Sequence, residues 1–200
     1  DPLGPENVLC LAVGPFTGTI LPQTSRMEVS TLSPYSGILG DGNAGGHFAT
    51  GLKLAGYDQI VVTGKAESPT YLWIEDDDVE LRDAGDLWGK TTWEATDALQ
   101  EKHGNNVKVA GIGPAGENLV RVATTISDKY HSAARGSGAV WGSKNLKAIA
   151  VKGTGDVDVA DPDTFRELAK IDRDFFLNDD FQQGVNSEYG THIGMEDWGP

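Results

Sequence analysis

Residues 7–18 read NVLCLAVGPFTG and residues 106–117 read NVKVAGIGPAGE. Each opens on Asn-Val, runs through a short apolar stretch of strand character and stops at Gly-Pro. The correspondence continues downstream. Residues 27–33, MEVSTLS, and residues 119–127, LVRVATTIS, are β-branched stretches that predict a second strand in each copy. Residues 40–46, GDGNAGG, and residues 132–138, SAARGSG, are small-residue segments that predict a loop in each. Residues 58–65, DQIVVTGK, and residues 146–153, LKAIAVKG, close each copy with a strand. Two copies of one unit in a domain are expected to pack about a pseudo-twofold axis, with corresponding loops meeting near it. The expected fold class is therefore α+β: two β-sheets related by internal duplication, with a few helices, followed by the start of a helical domain. The boundary falls at 1–160 for the first domain, incomplete at its start, and 161–200 for the beginning of the second.

Between the copies the sequence predicts a hairpin, residues 70–75 and 79–82 around Asp76, Asp77 and Asp78. A helix over 91–103 follows, stopped by Gly104. A short helix over 47–55 ends at Gly56, and Asp161 is placed to cap a helix running to about Leu177.

The totals narrow the function. Among 200 residues, 30 are acidic and 16 basic, for a net charge of −14, which argues against a nucleic-acid partner. No apolar run reaches membrane-spanning length, and no charged-then-apolar signal peptide opens the chain. The single cysteine, Cys10, allows no internal disulfide, which fits a reducing, cytoplasmic setting. Alone it holds neither an iron–sulfur cluster nor a cysteine zinc site. The chain opens on DPLGPENVL without an initiating Met and closes on MEDWGP, so it reads as a piece of a longer polypeptide.

The paired loops are the candidate chemistry. GDGNAGG would leave backbone N–H groups uncovered as an anion-binding concavity, reinforced by the N-terminus of a helix starting near His47. No Gly-Lys-Ser/Thr follows, so it is not a Walker loop, and GPAGEN from Gly113 is not a dinucleotide fingerprint. The second loop adds Arg135, suited either to bidentate contact with a phosphate or to a surface salt bridge, and Lys144, a solvated or packing residue. Arg26, in PQTSRMEV, either holds an anion from the other side or forms an exposed pair. His47, His103 and His192 read as packing or exposed residues, while His131 lies in the second loop. The acidic run from Glu75 to Asp78 reads as a solvated turn. No nucleophile elbow, catalytic dyad or spaced carboxylate pair is visible, so no catalytic residue is assigned. Two symmetric polar loops with nearby arginines suit a quasi-symmetric, anionic ligand.

These motifs carry a family resemblance. GPFTGT, SRMEVSTLSPYSG and NAGGHFATGLKLAGYDQIVVTGKAE, then VELRDAGDLWGKTTWE, IGPAGENLVRVA and GAVWGSKNLKAIAVKG, in that order, resemble the amino-terminal domain of tungsten-containing aldehyde:ferredoxin oxidoreductases. The likeness continues more weakly to Tyr189-Gly190-Thr191. It implies a base domain for a tungsten bis-pyranopterin (tungstopterin) whose phosphates are bridged by Mg2+. A [4Fe-4S] cluster, with ligands outside this segment, would lie beside it. Aldehydes would be oxidised to carboxylic acids, with electrons leaving to ferredoxin or to an iron–sulfur or flavin electron-transfer subunit of an oligomer. Tungsten over molybdenum rests on the resemblance alone.

Carried over position by position, Arg26 falls between cluster and pterin. Asn43, Ala44 and Gly45 fall on the first cofactor-binding segment, with Asn43 also toward the magnesium. The second segment departs from the family pattern, His-Arg-Ala-Ala-Gly-Arg-Gly, by one missing residue. The first family arginine falls on His131 and its neighbour on Ser132, a second magnesium position; Ala134 is a further cofactor contact and Arg135 matches the second arginine. Either His131 replaces the phosphate contact or the shorter segment lets Arg135 make it. Two other readings stay open: a subunit of a tungsten-dependent benzoyl-coenzyme A reductase, and a non-catalytic cofactor-binding fragment.

Overall fold

The computed structural model describes residues 1–190. Thr191, His192 and the closing MEDWGP, all read above, lie outside the described residues. The described chain forms two compact units: residues 1–18 with 24–157, and residues 19–23 with 158 onward.

The larger unit begins with β1 (Leu9–Val13), β2 (Met27–Leu32), β3 (Leu39–Ala44), α1 (Phe48–Leu54) and β4 (Gln59–Val62). These strands form one antiparallel sheet in the order β3-β2-β1-β4. Alternation fixes its faces: Leu9, Leu11, Met27 and Val29 are buried, while Cys10, Ala12, Glu28 and Ser30 between them are only partly covered. The second copy supplies β7 (Lys108–Gly111), α3 (Pro114–Glu117), β8 (Thr125–Ser127), β9 (His131–Ala133), α4 (Ser137–Ser143) and β10 (Leu146–Lys152). Its order is β9-β8-β7-β10, again antiparallel throughout. Strand order, pairing sense and a helix after the third strand thus repeat between the two copies.

The intervening hairpin, β5 (Thr70–Glu75) and β6 (Asp78–Asp83), extends the second copy's sheet, with β5 running parallel to β10. Strand β10 is consequently central and buried from Leu146 to Val151, which explains its nearly unbroken apolar and small-residue run. One core joins Leu9, Leu11, Met27 and Val29 to Phe48 and Leu52 of α1, Trp141 of α4 and Ile149 and Val151 of β10. A second core lies on the other face of the larger sheet. There Tyr71, Trp73, Val109, Ala148 and Ala150 pack with Leu99 of α2 (Thr92–His103). Thr91 and Glu94 close a capping box at the start of α2.

Three expected elements differ from the structure. GDGNAGG is largely the edge strand β3, not a loop, because its backbone pairs with β2 from Leu39 to Ala44. In SAARGSG, Ser132 and Ala133 belong to β9 and Ser137 and Gly138 to α4. The strand expected over residues 119–127 is confined to Thr125–Ser127. Pro114 opens α3, and Leu119 adopts φ 56°, so the chain ahead of β8 winds into turns. The acidic run is also more than a solvated turn. Asp76, at φ 49°, accepts from the N–H of Thr154 at 2.7 Å and from its hydroxyl at 2.6 Å, and Glu75 pairs with Lys152.

In the smaller unit, α5 (Pro162–Asn178) begins where Asp161 accepts from the Thr164 N–H at 3.1 Å, with proline at its first position. A short irregular helical stretch leads to α6 (Ser187–Tyr189).

One buried and one partly buried polar cluster brace the larger unit. Lys147, with a side chain 0% exposed, pairs with Glu117, 4% exposed, and donates to the Lys90 carbonyl at 2.7 Å. Glu117 also accepts from the Gly89 N–H at 2.9 Å. Burial pushes the Lys147 ammonium below its ordinary pKa while the paired carboxylate opposes that shift. Glu117→Gln leaves the lysine uncompensated and is expected to lower stability by about 3 kcal/mol in denaturant unfolding.

In the second cluster His103 stacks on Trp73 with centroids 4.0 Å apart. Lys102 donates to the Tyr71 hydroxyl at 3.2 Å, and that hydroxyl shares a hydrogen bond with Nε2 of His103 at 3.0 Å. Burial, with Arg82 and Lys102 nearby, holds the ring's pKa below 6.5. The unfolded chain therefore takes up this proton first as pH falls. Stability should be complete above pH 6.5 and decline below it toward the folded value. Comparing thermal unfolding of wild type and His103→Gln across pH 5–8 checks this: the variant should lose that part of the acid sensitivity.

Candidate functional site

Strand β3 lies at the edge of one sheet and β9 at the edge of the other, and they meet along a seam. The approach is between backbones. A Cβ added to Gly42 would lie 2.7 Å from the nitrogen of Ala134, and one on Gly40 would lie 3.2 Å from the carbonyl oxygen of Arg135. At Gly45 it would lie 3.0 Å from Nδ1 of His131. Gly40 through Gly46 thus runs alongside Arg135 back to His131. Glycine is required here for close packing between the copies rather than for a flexible loop.

Because Gly40, Gly42 and Ala44 point inward, Asp41 and Asn43 stand on the open face. Glu28 of β2 and Arg26, just before that strand, lie beside Asn43, Glu28 being its register partner. Arg26 donates through Nε to the Asn43 side-chain oxygen and through Nη2 to its backbone carbonyl at 3.4 Å. Asn43 in turn donates to Glu28 Oε2 at 3.1 Å. The other Glu28 oxygen, Oε1, is buried without a hydrogen-bond partner among the described residues. Among those residues neither Arg26 nor Arg135 forms an ion pair.

Two cross-links tie the copies at the ends of the seam. The hydroxyl of Ser33, just past β2, donates to the Arg135 carbonyl at 2.7 Å. Asp128, just past β8, accepts through Oδ2 from the N–H groups of His47 and Phe48. This corrects the expectation that the N-terminus of α1 is open to an anionic ligand: the carboxylate of Asp128 already fills it.

Of the residues proposed from sequence, Arg26, Asn43, Ala44 and Gly45 from the first copy and His131, Ser132, Ala134 and Arg135 from the second all line this seam or its rims. Arg26, Asn43, His131, Ser132, Ala134 and Arg135 are exposed there. Lys144 is elsewhere and is not solvated: its ammonium donates to the carbonyls of Pro5 at 3.2 Å and Gly64 at 3.0 Å, and burial lowers its pKa. Glu28, Ser33 and Asp128 were missed. Only Glu28 had a local signal, since it shares strand parity with Arg26; the other two act across the duplication.

A model of the aldehyde ferredoxin oxidoreductase N-terminal domain matches residues 1–153. The chain belongs to this family. It is 47% identical, over 96% of its length, to a tungsten-containing aldehyde ferredoxin oxidoreductase of Pyrococcus furiosus, spanning 32% of that protein. It is 37% identical, over 97% of its length, to the WOR-like subunit of an aliphatic sulfonate oxidoreductase of the same organism, again covering 32% of it. Among solved structures it resembles the active-site complex BamBC of benzoyl coenzyme A reductase with 1,5-dienoyl-CoA. The TM-score is 0.86 at 38% identity, covering 88% of this chain and 27% of that one. The chain therefore spans about a third of the length of the curated relatives it matches.

The seam makes its own prediction. Gly42→Ala forces a methyl onto the backbone of Ala133 and Ala134. It should cost about 1–3 kcal/mol in denaturant unfolding, as overpacking does. Asp41→Ala, one residue away on the open face, should change stability by less than about 0.5 kcal/mol.

Proposed function

We propose that this chain is the cofactor-holding base of an oxidoreductase that oxidises aldehydes to carboxylic acids in the cytoplasm. Electrons would leave through a [4Fe-4S] cluster to ferredoxin or a related iron–sulfur or flavin subunit. One observation carries the reading: β3 and β9 bring matching segments of two like-built copies together, with Arg26 and Arg135 beside them, neither in an ion pair among the described residues. Twin halves related by a pseudo-twofold would suit a paired, phosphate-bearing pterin.

The donor set fits that group. Glu28 Oε1 is an acceptor-only oxygen, buried and lacking a partner, beside the Asn43 amide, and so is suited to an N–H-rich ring or a cation. Bound tungsten would supply the two-electron redox chemistry. Arg26 would donate from the rim through its planar guanidinium and stay anchored through Asn43. Carbonyl oxygens at Asn43 and Ser132 would serve a magnesium ion, which prefers oxygen. Backbone at Ala44, Gly45 and Ala134 would form the floor, with His131 or Arg135 meeting phosphate. No residue of this chain is assigned proton transfer; that role and the cluster ligands are expected elsewhere in the polypeptide.

The fold match to the benzoyl coenzyme A reductase complex supports a second reading, ring reduction of an aryl thioester. The higher identity to the aldehyde enzymes favours the first. The test is purification of the complete protein from a host that makes the cofactor, with tungsten and pterin analysis and viologen reduction assays. Aldehyde-dependent reduction by tungsten-loaded protein is expected. Protein free of tungsten and pterin, or turnover with an aryl-CoA but no aldehyde, would refute it.

A further inference from the structure

The turn joining β8 to β9 is strained and tied down on both sides. Asp128 and Lys129 both sit in the left-handed region, at φ 47° and 72°. This region is sparsely populated outside glycine, above all for a residue such as Lys129, and the surroundings hold it. On one side Lys129 pairs with Asp97 of α2, and its carbonyl accepts from the Trp93 indole at 3.1 Å. The Tyr130 ring meets Trp93 edge-on, with centroids 5.1 Å apart.

On the other side Asp128 reaches the first copy. Helix α1 has no capping side chain of its own and no acidic residue in its first turn. Its opening N–H groups, at His47 and Phe48, go to Asp128 Oδ2, 2.8 Å from the Phe48 nitrogen. Between them lies Gly46, at φ 90°, where a Cβ would stand 2.8 Å from Oδ2 of Asp128 and 3.0 Å from the His131 ring. A single carboxylate therefore fixes the end of Asn43–Gly46 to the start of His131–Arg135.

We propose that Asp128 is a positioning residue: by capping α1 from the opposite copy, it sets the spacing of the seam and hence its capacity to retain the cofactor. This rests on the function proposed above. A plain helix cap would contribute stability and nothing more.

The complete protein, made in a cofactor-producing host, separates these roles. In Asp128→Ala, tungsten and pterin per folded chain should fall about tenfold, as when an outer-shell partner of a metal site is lost. Exchange of the His47 and Phe48 amides with deuterium should quicken, and Asp128→Asn, which keeps an oxygen acceptor, should restore loading. Asp128→Glu keeps a capping carboxylate but lengthens the link. It should unfold near the wild-type temperature yet bind less tungsten and give an altered tungsten EPR signal, and it decides the matter if Asp128→Ala does not fold. Folded Asp128→Ala or Asp128→Glu with full loading and a wild-type spectrum would overturn the inference while leaving the proposed function standing. Wild-type protein without cofactor would defeat the function and this inference with it.

Discussion

Two backbones approach one another at the seam with nothing between them, and the larger unit is arranged around that approach. At Gly42 the neighbouring chain passes so close that a single methyl would strike Ala133 and Ala134. Glycine in a strand weakens it, because more conformational freedom is lost on ordering and no side chain packs. Strand β3 is nevertheless a regular edge strand, since β2 pairs with it along its whole length and β9 packs on its inward face. The period of two then does the rest. With Gly40, Gly42 and Ala44 committed inward, Asp41 and Asn43 must face out, beside Arg26 and Glu28.

Charge is distributed unevenly across this frame. A chain with net charge −14 leaves Arg26 and Arg135 without ion pairs among the described residues, although acidic side chains are plentiful. Among the described residues its most buried pair joins Lys147 of β10 to Glu117 of α3. Exposed pairs such as that of Arg166 with Asp163 contribute little through screened charge. The buried pair matters because either partner alone would be a desolvated charge.

Much of this was legible in the chain. The repeated Asn-Val run to Gly-Pro, the β-branched second strands and the closing strands located two like units, because alternation and turn chemistry are local. Asp161 and Thr91 marked helix starts for the same reason, and the ordered motifs identified the family. Legibility failed where local composition competed with pairing. GDGNAGG looks like a loop to any local rule, yet Gly40 to Ala44 lie in register with β2. LVRVATTIS looks like one strand, yet α3 and the left-handed Leu119 use up its first half.

The sequence by itself determined the duplicated strand plan, the starts of α1, α2 and α5, and the family, since each is written in short-range pattern. Only the tertiary structure decided that β5 joins β10 in parallel, that β3 packs against β9, and that Asp128 rather than a ligand occupies the start of α1. Those outcomes join residues about eighty positions apart. No local periodicity encodes such a pairing; it emerges when the edges of two sheets must bury the same apolar core and satisfy each other's exposed backbone groups.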